Sequence, residues 1–206
     1  MGSILHLARD GDVVWGTGVN GKMLQSVYPR LDVRAVRGPR TAERLHRAGV
    51  EVPEVYGDPA LLLPDLWTDE QLGIERRSGG TVLVPNLHDR SRFPQSAINP
   101  RGDVLTCVRE IASARLVIAS SLHGVIVADA YGVPAVLVAS STEPSFKYED
   151  YYLGTGRPAP TPAATWRDAM DAVPSAPITA WSSGPLVKAF PADLWRPSSH
   201  APLDSR

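Results

Sequence analysis

The chain has 206 residues, enough for one large or two small domains. Hydrophobic residues make up 43% and charged residues 21%, as in a soluble globular protein, and a formal net charge of -1 gives no overall pull toward nucleic acid or a membrane surface. Cys107 is the only cysteine, which excludes an internal disulfide and fits a reducing cytosol, and no apolar run reaches membrane-spanning length.

Residues 1–8 have neither the basic flank nor the apolar length of a secretory signal, so a cytoplasmic location is expected. Residues 12–18 read as a strand running into a glycine turn. Gly16 and Gly18 would let backbone come close to a ligand, although their spacing is not that of a dinucleotide fingerprint and a plain turn explains them as well. Residues 33–36 alternate as a second strand. Pro39 then suits the first position of a helix that Gly49 ends. Arg37 and Arg40 flank that helix N-terminus, where cations are unfavourable unless an anion is present, so a bound anion is expected there.

A third strand-to-turn element covers residues 55–64. Asp58 caps the turn that Pro59 begins and, lying after a strand, is also a site candidate. Residues 65–80 are polar and read as a surface connection. A fourth strand follows at 81–84, with Asn86 and His88 beyond its C-terminal end. Residues 103–114 carry apolar positions at helical spacing, and Cys107 falls within that pattern as a core residue rather than a nucleophile.

The chain is organised around residues 114–138, which read as strand, turn, helix, strand. Leu116, Val117, Ile118 and Ala119 form a continuous apolar run, as in a parallel strand covered on both faces. Ser120 and Ser121 are good N-caps, residues 125–131 are apolar nearly all round, and Gly132 ends the helix. His123 therefore lies in a first helical turn at a strand's C-terminal end, where ligands of open parallel sheets bind. A packed, capping histidine explains it equally well.

Past residue 138 come a short aromatic stretch at 146–152, a proline-rich segment at 157–162, an amphipathic helix expected over 165–173, and an irregular tail. The five histidines are scattered, so no metal site is expected. The alternation predicts an α/β fold, a doubly wound, mostly parallel sheet. Arg37, Arg40, Asp58, Asn86, His88, Ser120, Ser121 and His123 all fall at strand C-terminal ends, which gather along one edge. Such an edge suits an anionic small molecule held by arginines and helix N-termini, with His123 and Asp58 available for proton transfer.

Three motifs resemble the polysaccharide pyruvyl transferase family. They are Gly57-Asp58-Pro59-Ala60-Leu61-Leu62-Leu63-Pro64, Val36-Arg37-Gly38-Pro39-Arg40-Thr41, and Ser120-Ser121-Leu122-His123-Gly124 closed by Ala130-Tyr131-Gly132-Val133-Pro134. The stretch from Asp12 through Trp15-Gly16-Thr17-Gly18 to Lys22 resembles the exopolysaccharide ketolase branch. The resemblance implies a lobe like the C-terminal half of a GT-B-type glycosyltransferase. It implies transfer of the pyruvyl group of phosphoenolpyruvate to a glycan or lipid-linked sugar as a cyclic ketal, with no cofactor. His123 then matches the family's site histidine, Arg37 and Arg40 hold the donor, and Asp58 assists. Many family members carry Arg two residues before that histidine, where this chain has Ser121.

Family members also carry a whole N-terminal lobe, so residues 1–20 are expected to be its remnant, 21–156 a Rossmann-like lobe, and 157–206 linker, helix and tail. The apolar Val13, Val14 and Trp15 would then lie uncovered, and a homo-oligomer or a partner supplying the missing lobe is expected. The donor lobe of a nucleotide-sugar glycosyltransferase and an inactive, binding-only lobe remain open as alternatives.

Overall fold

The computed structural model describes residues 2–23 and 25–195. Among the described residues there are five strands, every pairing is parallel, and helices intervene, so the fold is α/β. The pairing falls into two sheets. Strands β1 (Val13–Thr17) and β2 (Asp32–Val36) form the first, extended by a bridge from Val36 to Tyr56. Strands β3 (Thr81–Val84), β4 (Leu116–Ala119) and β5 (Ala135–Leu137) form the second in sequential order, with Val138 bridged to Ala163.

Helix α1 (Pro39–Arg47) packs on the first sheet, where Val14, Val36, Ala42 and Leu45 share one buried cluster. Pro39 opens this helix as expected. The 65–80 connection is more ordered than its polarity suggests. One one-turn helix, α2 (Leu63–Leu66), runs into it and another, α3 (Asp69–Leu72), lies within it. The second is held by a capping box in which Thr68 and Gln71 satisfy each other's backbone N–H groups.

Helix α4 (Val104–Ser113) is capped by Asp103, whose Oδ1 accepts the Thr106 N–H at 2.8 Å. Helix α5 (Leu122–Ala130) joins β4 to β5. Both pack on one face of the second sheet with Val117, Ala119 and Leu137. Ile118 and Val136 point to the other face and join Phe93, Ala97 and Ala169. Both faces are thus buried, which is why β4 reads as an unbroken apolar run. An added Cβ at Gly124 would lie 2.7 Å from Val84 Cγ1, so this glycine lets α5 sit close against β3.

The aromatic stretch is a helix, α6 (Phe146–Gly154), with Tyr148, Tyr151 and Tyr152 buried. The helix expected over 165–173 is absent. Only a single 3₁₀ turn forms, Asp168–Met170, and of the expected apolar face Val173 is 90% exposed. Pro174 biases its predecessor away from helical backbone, and Ser175 N–H pairs with Ala135 O at 2.9 Å, so the chain must extend there.

The tail is not wholly irregular: it contains α7 (Gly184–Lys188) and a 3₁₀ turn, Ala192–Trp195. The expectation for residues 196–206 lies outside the described residues. This C-terminal segment covers β1, which overturns the expectation of an open apolar face. Val14 is buried, Trp15 Nε1 donates to Leu186 O at 2.8 Å, and the Trp15 and Phe190 rings pack edge to face at 5.0 Å. Among the described residues no helix is long and apolar enough to cross a membrane.

Candidate functional site

The Ser121 hydroxyl caps α5 by accepting the Gly124 N–H at 3.3 Å, which fixes His123 at the second helical position, beyond the end of β4. Asp58 arrives from the neighbouring sheet. It follows the Val36–Tyr56 bridge and caps the 3₁₀ turn Pro59–Leu62, its Oδ1 accepting the Ala60 N–H at 3.0 Å. The other oxygen, Oδ2, faces His123 Nε2 at 3.7 Å. Capping and facing the histidine are therefore both true of Asp58, one with each oxygen.

Asp58 is 1% exposed, and His123 Nε2 is buried without a hydrogen-bond partner, while 44% of the His123 side chain stays exposed. At 3.7 Å the pair is too long for a good hydrogen bond but within reach of an ion pair once the ring is protonated. Burial pushes the Asp58 carboxyl up. His123, the Ala60 N–H and the Arg37 charge outweigh it, leaving the group below its ordinary value. An ionised, buried carboxylate thus faces one ring nitrogen, and Nδ1 is left on the far side. This arrangement can orient an imidazole. Residues 2–3 run beside the ring, since a Cβ on Gly2 would lie 3.8 Å from His123 Cε1.

Arg37 and Arg40 are not free. Arg37 is 1% exposed; its Nε donates to Asp150 Oδ2 at 3.0 Å and its Nη2 to Val19 O at 2.7 Å, and Ser3 Oγ takes Nη1. Asp150 also sits at the α1 N-terminus, where it accepts the Thr41 N–H at 2.9 Å and the Thr41 hydroxyl at 2.7 Å. A carboxylate of the chain itself therefore stands at the helix end beside Arg37. Arg40 pairs with Glu149 and stacks over Phe146 at 4.9 Å. Asp150 escaped the sequence reading. The available signal was the Glu149-Asp150 pair within an aromatic stretch, where a carboxylate that becomes buried requires a partner.

Gly16 and Gly18 serve packing in this structure. Gly16 has φ +75°, and a Cβ there would lie 2.3 Å from Pro59 Cδ, so it seats the Asp58 turn. A Cβ on Gly18 would lie 2.5 Å from Arg37 Cζ, so it makes room for the guanidinium.

Ser120 is fully buried. Its Oγ accepts the Asn86 N–H at 2.9 Å, and its carbonyl accepts the Tyr148 hydroxyl at 2.7 Å. Asn86 Oδ1 in turn accepts the His88 N–H at 3.1 Å. His88 itself is exposed and lines a separate open recess with Arg90, Phe93 and Asn99. Beside it Asp89, also missed, is fully buried and ties two loops together, its Oδ1 accepting from Ser141 N–H at 2.9 Å and Ser141 Oγ at 2.7 Å. The strand ends thus bring Asp58 and His123 together, use Arg37, Ser120, Ser121 and Asn86 as local architecture, and leave His88 apart.

Comparison with known proteins agrees with the motifs. The family model for polysaccharide pyruvyl transferase matches residues 3–142, a stretch that includes Asp58 and His123. The chain is 33% identical over 153 residues to the succinoglycan biosynthesis protein ExoV of Rhizobium meliloti (strain 1021), a match covering 68% of this chain and 46% of that protein. The chain thus matches about half the length of this relative. No solved structure matches. With the family model matching well over half of its length, the chain belongs to the polysaccharide pyruvyl transferase family.

Proposed function

We propose that this chain carries the acid–base centre of an enzyme that moves the pyruvyl group of phosphoenolpyruvate onto two hydroxyls of a sugar, in the biosynthesis of an exopolysaccharide or cell-surface glycan. The observation that carries this reading is the Asp58–His123 pair, an ionised carboxylate facing a half-exposed imidazole within the family match. The acceptor is a glycan or a lipid-linked sugar, and the work is done in the cytoplasm.

Protonated His123 gives its proton to the methylene carbon of phosphoenolpyruvate, and the neighbouring carbon becomes oxocarbenium-like. One sugar hydroxyl adds there and loses its proton to the now neutral imidazole. Phosphate leaves, and the second hydroxyl closes the ketal as its proton passes to phosphate. In total the two hydroxyls lose two protons, one ending in the new methyl group and one on phosphate. Asp58 holds the ring in place, which suits a group that must donate a proton and then accept one. No step asks for a metal or an organic cofactor.

The test is direct. Purified chain, phosphoenolpyruvate and a pyruvate-free acceptor glycan are incubated together, and phosphate release is compared with pyruvyl incorporation. Equal yields of the two are expected. Transfer from a nucleotide sugar with phosphoenolpyruvate untouched would replace this reading with the glycosyltransferase alternative.

A further inference from the structure

Two of the chain's three lysines converge on one carboxylate. Lys147 Nζ lies 2.9 Å from Glu143 Oε2, and Lys22 Nζ lies 2.5 Å from Glu143 Oε1. The three residues come from different elements: Lys22 from the loop after β1, Glu143 from the loop after β5, and Lys147 from the first turn of α6. That first loop presses on the start of α6, since a Cβ on Gly21 would lie 2.8 Å from Phe146 Cβ. The cluster therefore spans the C-terminal ends of both sheets, the edge that carries Asp58 and His123.

Burial makes this arrangement unusual. The Lys147 side chain is 9% exposed and that of Glu143 10%, whereas Lys22 is 40% exposed and opens the cluster to solvent. Lysine is seldom buried unless paired, because its ammonium loses hydration. Here two ammoniums share one carboxylate, so Glu143 balances only one of the two charges, the rest being met by solvent at Lys22 and by the Tyr148 ring 5.1 Å from Lys147 Nζ. Burial draws the Lys147 ammonium below the ordinary lysine range. Glu143 opposes that shift, and Arg37 is close enough to add to it. Of the arginines, Arg37 is buried against Asp150 and Arg40 is paired with Glu149.

We propose that Lys22 and Lys147 form a binding site for a phosphate-bearing anion, and that Glu143 holds the site closed until the anion takes its place. Taking the donor to be phosphoenolpyruvate rests on the function proposed above; the site itself does not. A phosphate dianion neutralises both ammoniums, which Glu143 alone cannot, and lysine binds phosphate as a point charge without demanding a planar fork. Lys22 is the mobile jaw, being the more exposed of the two, and Lys147 is the fixed one. The released Glu143 carboxylate turns toward solvent.

Calorimetric titration of the full chain with inorganic phosphate tests the site without any turnover. Glu143→Gln removes the internal competitor and is expected to tighten phosphate binding by roughly tenfold, a change of about 1.4 kcal/mol. Lys22→Gln is expected to weaken it by a similar factor. Phosphoenolpyruvate should follow phosphate in both variants, and pyruvate, which lacks the phosphate, should bind alike to wild type and Lys22→Gln. Circular dichroism establishes that each variant is folded. If Glu143→Gln does not fold, Lys22→Gln decides alone. Phosphate affinity unchanged in Lys22→Gln, no tightening in a folded Glu143→Gln, or no binding to either wild type or Glu143→Gln would overturn the site. If the variants shift phosphate binding while phosphoenolpyruvate is never consumed, the anion site stands and pyruvyl transfer falls. If transfer proceeds and neither variant alters phosphate binding, the converse holds.

Discussion

Arg37 and Asp150 meet as a fully buried ion pair, with Nε 3.0 Å and Nη2 2.9 Å from the same carboxylate oxygen. The pair, 113 residues apart in sequence, ties β2 and the start of α1 to α6. Removing one partner of such a pair leaves an uncompensated buried charge, which costs about 3–5 kcal/mol. Arg37→Ala is therefore expected to lower the unfolding free energy by about that amount. Arg40→Ala, which breaks a half-exposed pair, should cost no more than about 1 kcal/mol. Denaturant titration of both variants checks this. Equal stability of the two would mean that Arg37 is not a structural residue.

Gly38 is the companion of this pair. A Cβ there would lie 1.8 Å from Asp150 O, and one on Gly154 would lie 2.3 Å from Arg37 O. Backbone meets backbone at both places, and neither can yield as a flexible side chain would. Gly38→Ala is expected to separate α1 from α6 and to abolish the folded state or lower the melting temperature sharply. A thermal melt like that of wild type would contradict this packing.

Acid stability follows from two buried carboxylates, Asp58 and Asp89. Each is pushed up by burial. His123 with the Ala60 N–H overcomes this at Asp58, and hydrogen bonds from Ser140 and Ser141 overcome it at Asp89, so both groups stand below the ordinary carboxylate range. A depressed folded-state value means stability that is present above the unfolded-state value and lost as pH falls through the folded one. Unfolding free energy should therefore be level at neutral pH and fall steadily in acid. Asp58→Asn should flatten the acid limb, while its stability at neutral pH should be lower than that of wild type. An acid limb of unchanged steepness in Asp58→Asn would remove Asp58 from this account.

The C-terminal strap is expected to contribute to the fold. Leu186 is fully buried, and Trp181 Nε1 donates to Tyr56 O at 2.7 Å, two residues before Asp58. Leu186→Ala should cost about 2–5 kcal/mol and hasten limited proteolysis within residues 181–195. Unaltered stability and cleavage would show that the strap contributes nothing.

The sequence shows why some of this was legible and some was not. Local signals carried the frame: the apolar run of β4, the caps at Asp58 and Ser121, Pro39 at a helix start and Gly132 at a helix end each report a requirement of a few neighbouring residues. The same signals placed Asp58 and His123 at strand ends, though not their 3.7 Å approach. What escaped depends on partners far along the chain. The clash of two arginines with a helix N-terminus pointed to a bound anion, and periodicity could not show that Asp150, 109 residues beyond Thr41, sits at that helix end. The break between the two sheets and the strap over Trp15 are likewise tertiary. The 165–173 helix failed because an apolar face was given more weight than Pro174 and the pairing of Ser175 with β5.

The most direct measurement is turnover by His123→Gln, read alongside its thermal stability and its affinity for phosphoenolpyruvate. His123 is half-exposed and Nε2 has no hydrogen bond to lose, so the variant should fold, with any fall in melting temperature limited to the loss of the ring's interaction with Asp58. If His123 moves the proton, phosphate release and pyruvyl incorporation should fall together by about 10²–10⁴-fold, while donor affinity falls much less. Turnover near that of wild type in the folded variant, or a loss that merely follows unfolding, would contradict the assignment.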